Sequence, residues 1–110
     1  MNIILLEQIS FESFAAAVKT SFRVQIAEND SINLELSEAT TPRFSVPGGT
    51  NTSKYESFAL TFVGPDDRLL PQQQYWFESA TIGRFELFIT PISRDANGTR
   101  YEAAFNRLVK

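Results

Sequence analysis

Phe85-Glu86-Leu87-Phe88-Ile89-Thr90-Pro91-Ile92 decides how this chain is read. The stretch is too short for a helix of the usual length and is rich in residues that favour strands. Side chains alternate across a strand, so Phe85, Leu87 and Ile89 take one face and Phe88 and Ile92 the other. Both faces are apolar. A strand of that kind is expected in the middle of a β-sandwich or closed barrel, with neighbours on either side.

The turns on its two flanks supply the neighbours. Thr81-Ile82-Gly83 fits a three-residue hairpin loop with Gly83 in the left-handed conformation that glycine tolerates best. That register sets Ala80 opposite Arg84, Tyr75 opposite Ile89, Phe77 opposite Leu87 and Trp76 opposite Phe88. A two-residue loop would set Phe77 against Glu86, so hydrophobic matching favours the three-residue form. On the other side, Asn97-Gly98 is a strong hairpin signal. As a type I′ loop it pairs Ala96 with Thr99, Ile92 with Ala103 and Thr90 with Phe105. Tyr101, Ala103 and Phe105 then share the face of Phe88 and Ile92. Pro91 has no N–H to give, so a bulge is expected beside it, with the power to reset the register beyond.

Further out, Ser57–Val63 alternates with Phe58, Leu60 and Phe62 on one face. Phe22, Val24 and Ile26, then Ile32, Leu34 and Leu36, predict a hairpin with one wet face across a turn at Glu28-Asn29-Asp30. Before it, Ser10 is a helix N-cap, followed by Phe11, Phe14, Ala15 and Val18 at helical spacing. One short helix over about 11–19 is predicted, laying its phenylalanines on the sheet and plugging an open end. Residues 1–9 form an apolar arm, and residues 40–53 the long loop. The whole reads as one mostly β domain over residues 1–110: an antiparallel barrel or sandwich of six to seven strands.

Composition limits the function. With 43% hydrophobic residues and ten phenylalanines, the chain can build a core of its own. It has no cysteine and no histidine. That removes disulfides, thiolate chemistry and both the commonest general base and the commonest metal ligand. No cofactor is expected. The net charge is −3 and the basic residues are scattered, so nucleic acid and anionic membranes are disfavoured as partners. Met1–Leu6 is apolar but short and lacks a basic leader, which points to synthesis in the cytoplasm without a signal peptide.

The chemical candidates are few. The favoured register places Glu78 opposite Glu86, the raw material of acid–base chemistry, but Arg84 nearby suits an ordinary solvated charge cluster, and no enzyme is expected. Tyr75 and Trp76 offer a platform for a sugar ring, set against plain packing. The arm residues Ile3, Ile4, Leu5 and Leu6 are the expected contacts for a protein partner; Phe44 and Val46 in the long loop either fold back onto the core, the favoured reading, or join those contacts as an apolar tip.

Phe58-x-Leu60-x-Phe62-x-Gly64-Pro65, Leu70-Pro71-Gln72, Gly83-x-Phe85-Glu86-Leu87-Phe88 and Tyr101-Glu102-Ala103-x-Phe105-Asn106 together resemble a family of short bacterial domains of unknown function. The likeness covers residues 56–107, and Gln73 stands where such domains often carry glycine. The family brings no activity or catalytic residue. Its members are associated with tail-fibre and tail-collar-like proteins, which implies a structural or adaptor part of a phage-tail-like or fibre assembly. On that reading the chain is a homo- or hetero-oligomer within a virion or tail-like particle. The alternative is a small carbohydrate-binding β-module using Tyr75 and Trp76.

Overall fold

The computed structural model describes residues 3–45 and 54–109. After a 3-10 turn at Leu6–Gln8 comes helix α1 (Phe11–Ala16). Seven strands follow: β1 (Ser21–Ala27), β2 (Asp30–Ala39), β3 (Arg43–Ser45), β4 (Lys54–Gly64), β5 (Gln73–Ser79), β6 (Gly83–Asp95) and β7 (Gly98–Val109). They make one sheet in the order β2-β1-β5-β6-β7-β4-β3, and an additional β2–β4 pairing closes it in a ring. All strand pairs are antiparallel. One sheet curling onto itself, not two facing sheets, encloses the core.

The inward residues follow the period-two pattern: Phe22 and Val24 of β1, Leu34 and Leu36 of β2, Leu60 and Phe62 of β4, Phe77 of β5, Phe85 and Ile89 of β6, and Tyr101 of β7 are buried. The phenylalanines meet mostly edge to face, as the ring quadrupole favours; Phe22 and Phe62 lie 5.4 Å apart at 85°.

The two ends are closed differently. At one, Ser10 caps α1 by accepting from the Ser13 amide at 3.1 Å, and the helix drives Phe14, fully buried, among Phe58, Phe85 and Phe105. The helix stops at Ala16, short of the expected residue 19. Lys19 takes φ 75, and its amide leaves the helical pattern to bond the Leu36 carbonyl at 2.6 Å. At the other end the link between β4 and β5 folds over the ring and buries Leu70. The Leu70 amide donates to the Tyr101 hydroxyl at 2.9 Å, and that hydroxyl donates to the Arg68 carbonyl at 3.2 Å. The Tyr75 hydroxyl donates to the Pro71 carbonyl at 2.6 Å.

Several sequence expectations need correction. The β5–β6 loop does have three residues with Gly83 at positive φ (119°), but the closing pair is Ser79–Gly83. Phe77 therefore faces Phe85, Tyr75 faces Leu87, and Trp76 faces Glu86. At the β6–β7 turn the loop is Ala96–Asn97, closed by Asp95–Gly98. Asp95 Oδ1 accepts from the Asn97 amide at 2.8 Å, while Gly98 takes φ 131. The expected bulge beside Pro91 is present, between Pro91 and Ser93. It flips the register: Tyr101, Ala103 and Phe105 turn into the ring with Phe85, Leu87 and Ile89, and Phe88 and Ile92 stay outside, 50% and 51% exposed. The Phe85–Ile92 strand is thus apolar on both faces but buried on only one.

Candidate functional site

Backbone pairing around the ring is uneven. β7 pairs with β4 without interruption from Thr99 to Val109. Its pairing with β6 covers only Thr90–Asp95 and Gly98–Glu102. The first half of β6 pairs with β5 on its other edge. Among the described residues, the edge of β6 before Thr90 and the edge of β7 after Glu102 therefore diverge as a seam without a ladder across it.

Residues 3–8 lie on this seam. Ile3 makes an isolated parallel bridge with Arg84, and the Ile4 amide donates to the Arg84 carbonyl at 2.8 Å. On the β7 lip, Arg107 Nη1 donates to the Leu6 carbonyl at 3.3 Å. Gln8 steadies the turn, its Oε1 accepting from the Leu5 amide at 3.4 Å. Ile4 and Leu6 are half-buried and packed on the core, whereas Ile3 and Leu5 are 64% and 56% exposed. Beneath the arm, Phe14 fills the gap between Phe85 on one lip and Phe105 on the other, with ring centroids 5.9 and 5.5 Å away.

Two arginines hold the lips. Arg107 Nε bonds Glu56 Oε1 at 2.9 Å, in a pair whose side chains are 19% and 12% exposed. Its guanidinium also lies 5.2 and 5.5 Å from the Phe58 and Phe105 rings. A charge pair so far withdrawn from water is sustained by its geometry and by the extra bond to Leu6. Arg84 lies 4.7 Å over the Trp76 ring, and its Nη2 donates to Gln25 Oε1 at 3.0 Å. Its Nε is enclosed with no hydrogen-bond partner among the described residues.

Between the arm and the outer face of β5–β6 runs a groove of about 320 Å³, walled by residues 3–7 on one side and by Gln74, Trp76 and Glu86 on the other. It brings together residues that the sequence reading kept apart: the four apolar arm residues and Trp76. Phe88, exposed and paired with Gln74, continues the same outer face.

The remaining candidates are dispersed. Tyr75 is buried and points into the ring while Trp76 points out, so the two form no common shelf. Burial pushes the Tyr75 hydroxyl pKa up from its ordinary value of 10.0, and Tyr101 beside it adds to the rise. Glu78 stands opposite Arg84 and Glu86 opposite Trp76, so the two carboxylates are diagonal and not face to face. Glu78 accepts from Arg23 at 3.5 Å. Phe44 does not fold back to the core: it sits in β3, 55% exposed, with Lys54 Nζ 5.0 Å above its ring. Val46 and the rest of 46–53 lie outside the described residues. Sequence reasoning missed the seam and the roles of Arg84 and Arg107, since nothing local to either arginine marks its long-range neighbours.

Fold and site together define a small ring-closed antiparallel β domain with an apolar arm laid across the seam between β6 and β7. The chain belongs to the family described as a domain of unknown function (DUF6916), whose model matches residues 9–105. The matched segment takes in α1, β1–β6 and β7 as far as Phe105. No curated protein and no solved structure matches the chain.

Proposed function

We propose that this chain is a non-enzymatic structural or adaptor domain, and that it joins a larger assembly through the outer side of its arm. One observation carries the reading: the arm is apolar on both sides and the ring covers only one of them. Ile4 and Leu6 pack inward, and Ile3 and Leu5 are left in water on the groove they share with Trp76. A segment that served only as a plug would need a single apolar side. Exposed apolar side chains gathered on one strip of a small domain suit contact with another protein. The resemblance to domains found beside tail-fibre and tail-collar-like proteins adds a setting, a bacterial phage-tail-like or fibre assembly.

The test is the solution mass of the full chain, by light scattering after size exclusion, beside that of an Ile3→Asp/Leu5→Asp variant. The reading expects wild-type protein above monomer mass and a monomeric variant with an unchanged thermal midpoint. A wild-type protein that is monomeric throughout the micromolar range would overturn it, as would an assembly indifferent to both substitutions.

A further inference from the structure

We propose that the seam between the first half of β6 and the second half of β7 is an acceptor for residues 3–8 of a second copy, so that chains assemble by exchanging arms. The proposal rests on the assembly reading above and identifies the partner.

Fit is the first argument. The seam already holds this segment from its own chain, through the Ile3–Arg84 bridge, the Ile4 amide on the Arg84 carbonyl, and the Leu6 carbonyl on Arg107. A second copy offers the same segment and makes the same contacts with no new chemistry, which is the condition for exchange of an element between protomers. The second argument is attachment. Among the described residues, the arm has one backbone hydrogen bond to β6, and the Arg107 side chain is its hydrogen bond to β7. Firm anchoring begins at Ile9, which is 2% exposed, and at Ser10, which caps α1. The chain therefore leaves the body of the domain at Gln8–Ile9, and that junction is where an exchanged arm departs. The third argument is the edge. The lips of the seam carry β6 and β7 backbone that neither strand uses to pair with the other, and an extended segment is what such an edge accepts.

The chain has no cysteine, so introduced thiols report alone. Two full-length single variants, Ile3→Cys and Arg84→Cys, are unfolded together, refolded as a mixture and oxidised. Exchange predicts 3–84 disulfide-linked dimers as the main oxidised species on a non-reducing gel, with the linked peptide confirmed by mass spectrometry. A second surface pair, Leu5→Cys with Glu86→Cys, repeats the test without removing the guanidinium from Trp76. The double variant Ile3→Cys/Arg84→Cys is the reference for closure within one chain. If the double variant closes within a chain while neither mixed pair yields a linked dimer, the arm stays on its own seam and exchange is overturned. Absence of any 3–84 link also overturns it, because the arm then does not occupy the seam. Loss of assembly in the Ile3→Asp/Leu5→Asp protein, with cross-links confined to single chains, would reject exchange and leave the assembly reading standing.

Discussion

The two halves of β7 are built on different principles. From Thr99 to Glu102 the strand has β4 on one edge and β6 on the other, and the backbone closes the ring. From Ala103 onward β4 alone continues, and closure passes to side chains: Phe14 wedged between Phe85 and Phe105, Arg107 reaching Glu56 and Leu6, and the arm above. Hydrogen-bond ladders need only backbone and tolerate many sequences. A gap filled by side chains depends on particular shapes and is easier to open. The half with an incomplete ladder is also the half across which the apolar arm lies.

The largest expected effect falls on the side-chain-closed half. Phe14→Ala removes a fully buried ring that touches three strands. It should lower unfolding free energy by about 3–5 kcal/mol in urea titration; a loss under about 1 kcal/mol would mean the seam closes without it. On the backbone-closed half, Tyr101→Phe leaves the buried Leu70 amide without its acceptor and the Arg68 carbonyl without that donor. A loss of about 1–3 kcal/mol is expected, with the ring otherwise intact by circular dichroism. The smallest effect is a pH dependence in the same half. Because the folded state raises the Tyr75 pKa above 10.0, it favours the protonated hydroxyl. That stabilisation is fully present below the unfolded value and is lost as pH rises above it. The urea midpoint of wild type should fall through this alkaline window more steeply than that of Tyr75→Phe. Equal slopes would contradict burial of this hydroxyl.

Much of the fold was legible because burial has a period. Alternation in Ser21–Ile26, Ile32–Leu36 and Ser57–Val63 placed strands and inner faces, and Ser10 with Phe14 placed the helix and its plug. What the pattern cannot register is a slip of two. Pairing Phe77 with Leu87 or with Phe85 keeps every side chain on its face, so alternation rejects odd slips and is blind to even ones. The same blindness displaced the turn at Asn97-Gly98, where Asp95 bonding the Asn97 amide fixes the loop one residue earlier. The Pro91 bulge is an odd slip, legible as an expectation from the missing N–H, yet its face-flipping effect on Tyr101 needed the partner strand to be seen. Of the site, the apolar arm stood out in the sequence. The seam did not, since it is a difference in how far two pairings run and leaves no mark on either strand alone.

Amide hydrogen exchange along β7, resolved by residue, tests the interrupted pairing most directly. In an antiparallel strand successive amides point to opposite edges. Between Ala103 and Arg107 the amides directed at β4 should be strongly protected, and those directed at the seam should exchange faster by roughly a hundredfold or more. From Thr99 to Glu102 both sets should be protected alike. Equal protection on both edges beyond Ala103 would mean that β6 and β7 stay paired to the end of the strand, and the seam on which the arm is placed would not exist.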